Sequence, residues 1–378
     1  MSKEKVLVTG GMGFIGTALA KRLLGSGFQV AVLDNLSPQI HGVIPSVDLA
    51  GIEGPDFTVH RGDVRNPRDF EPLLAEADYL VHRAAETGTA QSMYEISRYN
   101  AINSQGTAEI LDWMMNHKHK IKKVVLSSSR SIYGEGAYRC ATCGIVSPDS
   151  RSAEALAARQ WEPVCPSCAA SLELIPTPEG SRPCPASIYA ATKLAQEDLI
   201  RIACGASGIP YTILRFQNVY GPGQSLNNPY TGILSIFSTR IRRGLPLSLF
   251  EDGQESRDFV HVTDIAQAIA LSLTSPLASG HTLNVGAGIP TSVQQVAEML
   301  VKVFRGSSAI GVTAQYRIGD IRHCYADLSE TKRVIGFEPK VNLEEGLAGF
   351  AAWVQSQPLP EDQLDHANKM LIDRGLMK

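Results

Sequence analysis

Tyr189 and Lys193 stand four residues apart in the run Tyr189-Ala190-Ala191-Thr192-Lys193. On a helix that spacing puts the phenol and the ammonium on one face. A free tyrosine ionises near pH ~10, roughly three units too high for a base at neutrality. A neighbouring cation favours the phenolate and brings that value down, so the pair has the chemistry to take a proton from a hydroxyl group. Sixty residues upstream, Ser129 closes the run Val124-Val125-Leu126-Ser127-Ser128-Ser129. A serine leaving the end of a strand would hold the same oxygen. Tyr-x-x-x-Lys alone is a weak signal, because an ordinary amphipathic helix beside a serine-rich turn has the same letters. What surrounds it decides.

The elements that would position these groups are legible. Val6-Leu7-Val8-Thr9 reads as a short strand, Gly10-Gly11-Met12-Gly13-Phe14-Ile15-Gly16 as a turn, and Thr17 to Leu24 as a helix ended by Gly25 and Gly27. Glycines there let the backbone turn sharply and approach a pyrophosphate, which a helix N-terminus stabilises. The next strand, Gln29 to Leu33, runs into Asp34. An acid at that place suits ribose hydroxyls and repels a 2′-phosphate, so the expected cofactor is NAD rather than NADP. Further strands are expected at Phe57–His60, Tyr79–His82, Val124–Leu126 and Tyr211–Arg215, separated by helical patterns. That alternation predicts an α/β fold with a doubly wound parallel sheet, whose ligands lie at the carboxyl ends of the strands. Asp63, which begins one of those loops, is placed to accept from an adenine amino group or to serve as a turn residue. Asn103 would brace the tyrosine through water or bond the backbone.

Bulk composition narrows the class. A chain of 378 residues predicts about two domains. A net charge of −3 gives no footprint for nucleic acid. No apolar run reaches the ~20 residues that span a bilayer, and Met1 to Lys5 does not read as a signal peptide. Seven cysteines, an odd number, point to a reducing cytoplasm. Four of the seven form Cys140-Ala141-Thr142-Cys143 and Cys165-Pro166-Ser167-Cys168, with twenty-one residues between the pairs. Two such knuckles complete a tetrahedron, so a closed structural zinc site of the ribbon type is expected, with disulfides or free thiols as the alternative. A segment of this length cannot bury a core alone, and metal would supply its folding energy. It leaves beside Ser129 and returns before Tyr189, a route that would let it shape or cover a pocket.

The collected motifs are Thr-Gly-x-x-Gly-x-x-Gly, Asp34-Asn35-Leu36, Gly62-Asp63-Val64-Arg65, His82-x-Ala84-Ala85, Ser127-Ser128-Ser129-x-Ser131-Ile132-Tyr133-Gly134, Tyr-x-x-x-Lys and Arg215-Phe216-x-Asn218-Val219-Tyr220-Gly221-Pro222. Together they resemble the extended short-chain dehydrogenase/reductase family, which includes nucleotide-sugar epimerases and dehydratases. The resemblance runs from Val6 to about Trp353, apart from the cysteine-bearing insertion. It implies a Rossmann-type NAD-binding part in residues 1–137 and 185–217, an insertion at 138–184, and a smaller, mainly substrate-binding part at 218–378, from which about 258–290 returns to the Rossmann part. It further implies catalysis by Ser129, Tyr189 and Lys193, with NAD held by Gly10, Gly13, Phe14, Ile15, Gly16, Asp34, Asn35, Asp63, Val64, Ala84, Ala85, Asn103, Ser127, Tyr189 and Lys193. The substrate would be a nucleoside-diphosphate sugar, touched by Gln91, Ser92, Ser129, Asn218, Asn228, Arg257, Arg317 and Asp320. An arginine fork suits the diphosphate. One departure is Arg83, where the family usually has leucine.

Oxidation at a sugar carbinol leads to several outcomes. Dehydratases of the family carry Asp-Glu after the catalytic hydroxyl residue, and UDP-glucuronate decarboxylases carry a glutamate at the Ser131 position; this chain has Arg130 and Ser131. Epimerisation at C4 needs no further acid. The stretches Gln91 to Glu95, Ser131 to Gly136, Asn228 to Gly232 and Gly319 to Asp327 most resemble dTDP-L-rhamnose 4-epimerases, which act on dTDP-L-rhamnose and dTDP-6-deoxy-L-talose. Another NDP-hexose epimerase (UDP-glucose 4-epimerase-like), an NDP-sugar dehydratase, a non-catalytic NAD-binding regulator and a zinc-dependent binding module remain open. Relatives dimerise through two helices per subunit, and Ile96, Ile102, Leu194 and Leu199 would either supply that interface in a homodimer or face the core.

Overall fold

The computed structural model describes residues 3–42, 52, 54–228, 230 and 232–378. Pro229 and Thr231, part of the stretch that resembles one subfamily, lie outside the described residues. Seven parallel strands make the central sheet: β1 (Lys5–Thr9), β2 (Gln29–Asp34), β3 (Phe57–Arg61), β4 (Tyr79–His82), β5 (Lys123–Ser129), β6 (Tyr211–Phe216) and β7 (His281–Val285). Their spatial order is β7-β6-β5-β4-β1-β2-β3. The order reverses between β1 and β4, which opens a crevice at the carboxyl ends of those two strands.

Both faces of the sheet are covered, which is why its strands read as near-continuous apolar runs. On one face, helices Phe14–Gly25 and Val262–Thr274 bury Leu19, Leu23, Ile265 and Ile269. On the other, helices Pro67–Glu76, Gly106–Asn116 and Ile188–Ser207 bury Phe70, Ile110, Trp113 and Ile200. A separate apolar core joins Phe237, Val296, Leu300, Leu347 and Phe350 in the later part of the chain.

The helix that carries Tyr189 and Lys193 spans Ile188–Ser207 and starts from Ser187, whose side chain accepts from the Ala190 N–H. A buried ion pair bolts it to the sheet. Arg215 on β6 reaches Glu197 with two bonds, Nε to Oε1 at 3.0 Å and Nη2 to Oε2 at 2.7 Å. Removing one partner of such a pair leaves the other charge buried alone. Glu197→Gln is therefore expected to lower stability by about 3–5 kcal/mol in urea unfolding. A loss below about 1 kcal/mol would mean that the pair is not what fixes this helix.

The insertion forms a three-stranded antiparallel sheet from Tyr138–Cys140, Gly144–Val146 and Glu173–Leu174. Its outer surface docks on the later part of the chain. Arg151 is buried between Glu135 at 3.1 Å, Glu251 at 2.8 Å and the Asp320 carbonyl at 3.0 Å. Arg322 in turn bonds Glu162 at 2.6 Å and Glu251 at 3.0 Å.

Candidate active site

A cleft of about 920 Å³ lies at the carboxyl ends of the central strands. Gly10, Gly13, Phe14, Ile15, Asp34, Asn35, Asp63, Val64, Ala84 and Ala85 line it at one end, and Ser129, Tyr189 and Asn218 at the other. The glycine-rich turn is shaped for something outside the chain. Gly10 has φ +65°, and a Cβ there would fall 2.8 Å from the Ala84 backbone. At Gly16 a Cβ would meet the Gly11 backbone at 2.3 Å, so this glycine serves helix–turn packing and does not line the cleft. Gly13 differs from both. Its φ of −69° suits any residue, and the only atom near a Cβ would be the Gly10 carbonyl at 3.9 Å. It keeps open a cradle that a side chain would fill. The helix that follows has no side-chain cap and no acid in its first turn, which leaves its N–H groups and dipole directed at an anion.

Asp34 ends β2, with one carboxylate oxygen accepting from the Met12 N–H at 2.9 Å and the other from the Leu36 N–H at 2.9 Å. Asp63 is clamped by Arg65, which donates from Nε at 2.9 Å and from Nη2 at 2.7 Å. Those bonds hold its carboxyl below the usual range. Asn103 is fully buried and bonds the Glu86 backbone on both sides, N–H at 2.7 Å and carbonyl at 3.1 Å, as well as the Thr192 hydroxyl at 2.9 Å. It braces the tyrosine's helix directly, off the cleft. Ser127 is buried behind Ser129 with a hydroxyl that finds no protein partner.

Ser129 and Tyr189 come together in the cleft wall, where the serine hydroxyl acts on the phenol. Burial lifts the phenol above its usual value, while the Ser129 hydroxyl and the Arg130 charge pull it down. Here the geometry departs from the sequence expectation. The cation acting on the phenol is Arg130. Lys193, one turn along the same face, donates to Gln196 Oε1 at 2.7 Å. Burial brings Lys193 down to about 7, and the Arg83 charge pushes the same way.

Three cleft residues have no counterpart among the expected contacts. Arg130 donates from Nε to Asn218 Oδ1 at 2.9 Å, and its Nη1 is buried without a partner. The Ser131 hydroxyl and both ends of the Gln217 amide are likewise buried and unpartnered. Each such group costs about 1–3 kcal/mol unless something bonds it. Four orphaned donors and acceptors beside Tyr189 suit a ligand rich in hydroxyls. Their one sequence signal is position, directly after β5 and β6.

Other expected contacts fall elsewhere. Gln91 is buried and spends its amide on Gln39 at 3.1 Å and Glu95 at 3.0 Å. Ser92 is buried too and accepts from the Tyr189 N–H at 3.0 Å, so it anchors the catalytic helix. Neither lines the cleft. Asn228 is buried and caps the Tyr230 N–H at 3.0 Å, with its Nδ2 unpartnered. Arg317 and Asp320 do not line the cleft but a separate, much smaller cavity; Thr89 lines both. Arg257 pairs with Asp320 at 3.4 Å, and Arg317 stacks 4.4 Å over the Phe250 ring with its Nε unpartnered. Burial opposes ionisation of Asp320, yet Arg257, Arg317 and Arg151 hold its carboxyl below the usual range. Of the four apolar residues expected at an interface or in the core, Ile102, Leu194 and Leu199 pack inward. Only Ile96, 52% exposed, faces out.

The four insertion cysteines converge, with their sulfurs all within 4.8 Å of one another. Cys140 and Cys168 stand 3.6 Å apart. A disulfide needs about 2.05 Å, whereas the edge of a tetrahedron built on a zinc–sulfur bond of ~2.3 Å is ~3.8 Å. Backbone N–H groups of Cys143 and Thr142 point at the Cys140 sulfur and bring its thiol down to about 7. The set therefore fits one thiolate-loving ion. No described residue of 138–184 lines the cleft; the insertion braces the Arg317–Arg322 loop from behind instead of covering the pocket.

A Rossmann sheet, a glycine-rich turn with an acid at the end of β2, and a serine–tyrosine–lysine set on β5 and the following helix define a dinucleotide-dependent enzyme of the short-chain dehydrogenase/reductase type. The chain belongs to the NAD dependent epimerase/dehydratase family, whose model matches residues 6–154 and 167–286. The break between those ranges, residues 155–166, lies inside the cysteine-bearing insertion and takes in Cys165. A dTDP-L-rhamnose 4-epimerase of Burkholderia thailandensis is 38% identical over 94% of this chain and 96% of its own length. Among solved structures, a UDP-glucose 4-epimerase of Thermotoga maritima with UDP-glucose superposes with a TM-score of 0.74 at 28% identity, covering 93% of this chain and 98% of that one. A UDP-glucuronic acid 4-epimerase of Bacillus cereus, in complex with UDP-glucuronic acid and NAD, gives 0.76 at 25% identity, covering 93% and 99%. No described helix is long and apolar enough to cross a membrane.

Proposed function

We propose that the chain is an NAD-dependent nucleotide-sugar 4-epimerase that interconverts dTDP-L-rhamnose and dTDP-6-deoxy-L-talose. One observation carries the choice of reaction: the residues that follow Ser129 are Arg130 and Ser131, and neither is an acid. Elimination of water needs a carboxyl group there, and inversion at C4 does not. When bound, NAD supplies a hydride acceptor at C4 that gives the hydride back to the opposite face. Tyr189 takes the proton from the C4 hydroxyl and later returns it, and Ser129 holds that oxygen. The unpartnered groups of Arg130, Ser131 and Gln217 bond the sugar, and Arg257, Arg317 and Asp320 take the diphosphate and nucleoside. The similarity to the Burkholderia enzyme supports the dTDP-deoxyhexose.

A panel of nucleotide sugars, followed by NMR, tests this reading. Inversion at C4 of dTDP-L-rhamnose is expected, with no net NADH. Free NADH or a 4-keto product would favour a dehydrogenase or dehydratase, and conversion of UDP-glucose alone would favour the UDP-glucose 4-epimerase reading.

We also infer that Cys140, Cys143, Cys165 and Cys168 hold a structural zinc ion, closed to catalysis by its four thiolates. Reduced thiolates suit the cytoplasm. A homodimer is the expected assembly, with Ile96 and the 70%-exposed Ile202 as apolar surface on the helices concerned. Light scattering reads the mass directly.

A further inference from the structure

We propose that Arg83 is a cofactor-binding residue whose guanidinium, seated on the Gly10 carbonyl, donates its remaining N–H groups to the pyrophosphate of the dinucleotide. This rests on the reading of the cleft as an NAD site.

The backbone dictates where the side chain goes. His82, the last residue of β4, turns to one face and bonds Thr9 Oγ1 at 2.8 Å and Thr107 Oγ1 at 2.8 Å. Alternation sends Arg83 to the other side, toward the glycine-rich turn, where its Nη1 donates to the Gly10 carbonyl at 3.1 Å. It lines the cleft together with Gly10, Gly13 and Asp34.

A guanidinium has five N–H donors, and this one is left largely unspent. Its Nε is buried without a partner. Among the described residues no carboxylate lies within salt-bridge reach of it; Asp34 acts on it only through its charge, both Asp34 oxygens being bonded by backbone N–H groups. Burial brings Arg83 down to about 10, which leaves it cationic at neutral pH.

Arg83 is half-buried, and its buried, unpartnered Nε leaves a cation that is costly unless an anion completes it. Three features of the same place ask for that anion. The helix starting at Phe14 has an uncapped N-terminus, Gly13 leaves a cradle above it, and Arg83 adds a full positive charge with a fork that matches phosphate oxygens. A leucine, which the family usually carries here, gives only apolar contact. The dinucleotide of an epimerase is reduced and reoxidised within one turnover, so a stronger hold on its pyrophosphate is consistent with the chemistry.

The test is binding, with no turnover involved. NAD, ADP-ribose and adenosine are titrated calorimetrically into parent, R83L and R83K proteins freed of nucleotide, at low and high salt. R83L is expected to bind NAD and ADP-ribose about tenfold more weakly, with adenosine unchanged and a shallower salt dependence. R83K, which keeps the charge and loses the fork, is expected to fall between. NAD affinity within twofold of the parent in R83L, or an equal loss for adenosine, overturns the proposal. Should R83L not fold, R83K decides: an NAD affinity equal to the parent's overturns it. A parent protein that binds no NAD would instead refute the underlying reading of the cleft.

Discussion

Tyr189→Phe is expected to lower the turnover number by about a thousandfold, with the Michaelis constant and the bound NAD little changed. General acid–base groups contribute about 10²–10⁴-fold. This phenol lines the cleft together with Ser129, and both the serine hydroxyl and the Arg130 charge favour its phenolate. Its oxygen takes no part in fixing the helix. That work falls to Ser187 at the N-terminus, to Ser92 on the Tyr189 N–H, and to Glu197 further along. The variant should therefore melt like the parent. Single-turnover NMR with dTDP-L-rhamnose, together with the absorbance of retained cofactor, separates chemistry from binding. A variant that turns over as fast as the parent would transfer the proton role to another residue and undo the mechanism.

Loss of the proposed zinc is expected to be the second large effect. Cys165→Ser, which removes a buried ligand, should abolish stoichiometric zinc and lower the melting temperature by several degrees or more. Apparent zinc-binding free energies in small four-ligand sites are about 10–16 kcal/mol, and that energy is folding energy for a segment with little core of its own. The consequence reaches the substrate side through two buried arginines. Arg151 holds the Asp320 carbonyl, and Glu162 holds Arg322. When the insertion loosens, the loop carrying Arg317 and Asp320 loses its backing, so the Michaelis constant for the nucleotide sugar should rise more than the turnover number falls. Elemental analysis, calorimetric melting and steady-state kinetics read the three parts. Zinc-free Cys165→Ser protein with the parent's melting temperature and Michaelis constant would reduce the insertion to an ornament of the surface.

Local spacing told a great deal about this chain. The glycine-rich turn between β1 and its helix, Asp34 at the end of β2, the Tyr189–Lys193 pair and the two cysteine knuckles are short-range patterns. Covalent geometry and the helix and strand periods decide such patterns within a few residues. The structure brings Ser129 to Tyr189 across sixty positions because β5 and the helix Ile188–Ser207 pack against each other. The four cysteines meet because each knuckle already aims two sulfurs at one point.

What side chains touch across the fold was another matter. Gln91 and Ser92 lie close to the strand ends in sequence, yet tertiary packing turns them inward, to Gln39, Glu95 and the Tyr189 N–H. Lys193 keeps its helical face but gives its ammonium to Gln196. Arg130, noticed in the sequence only as the absence of an acid, turns out to be the cation that bears on the phenol. The insertion was placed by its cysteines, but its docking on the loop around Asp320 and Arg322 depends on residues more than a hundred positions away. Sequence determined the backbone devices and the residue types available for catalysis, because those follow from neighbours along the chain. The tertiary structure alone decided which charges are paired and which polar groups stay open to a ligand, because burial and pairing depend on atoms that only folding brings within a few ångströms.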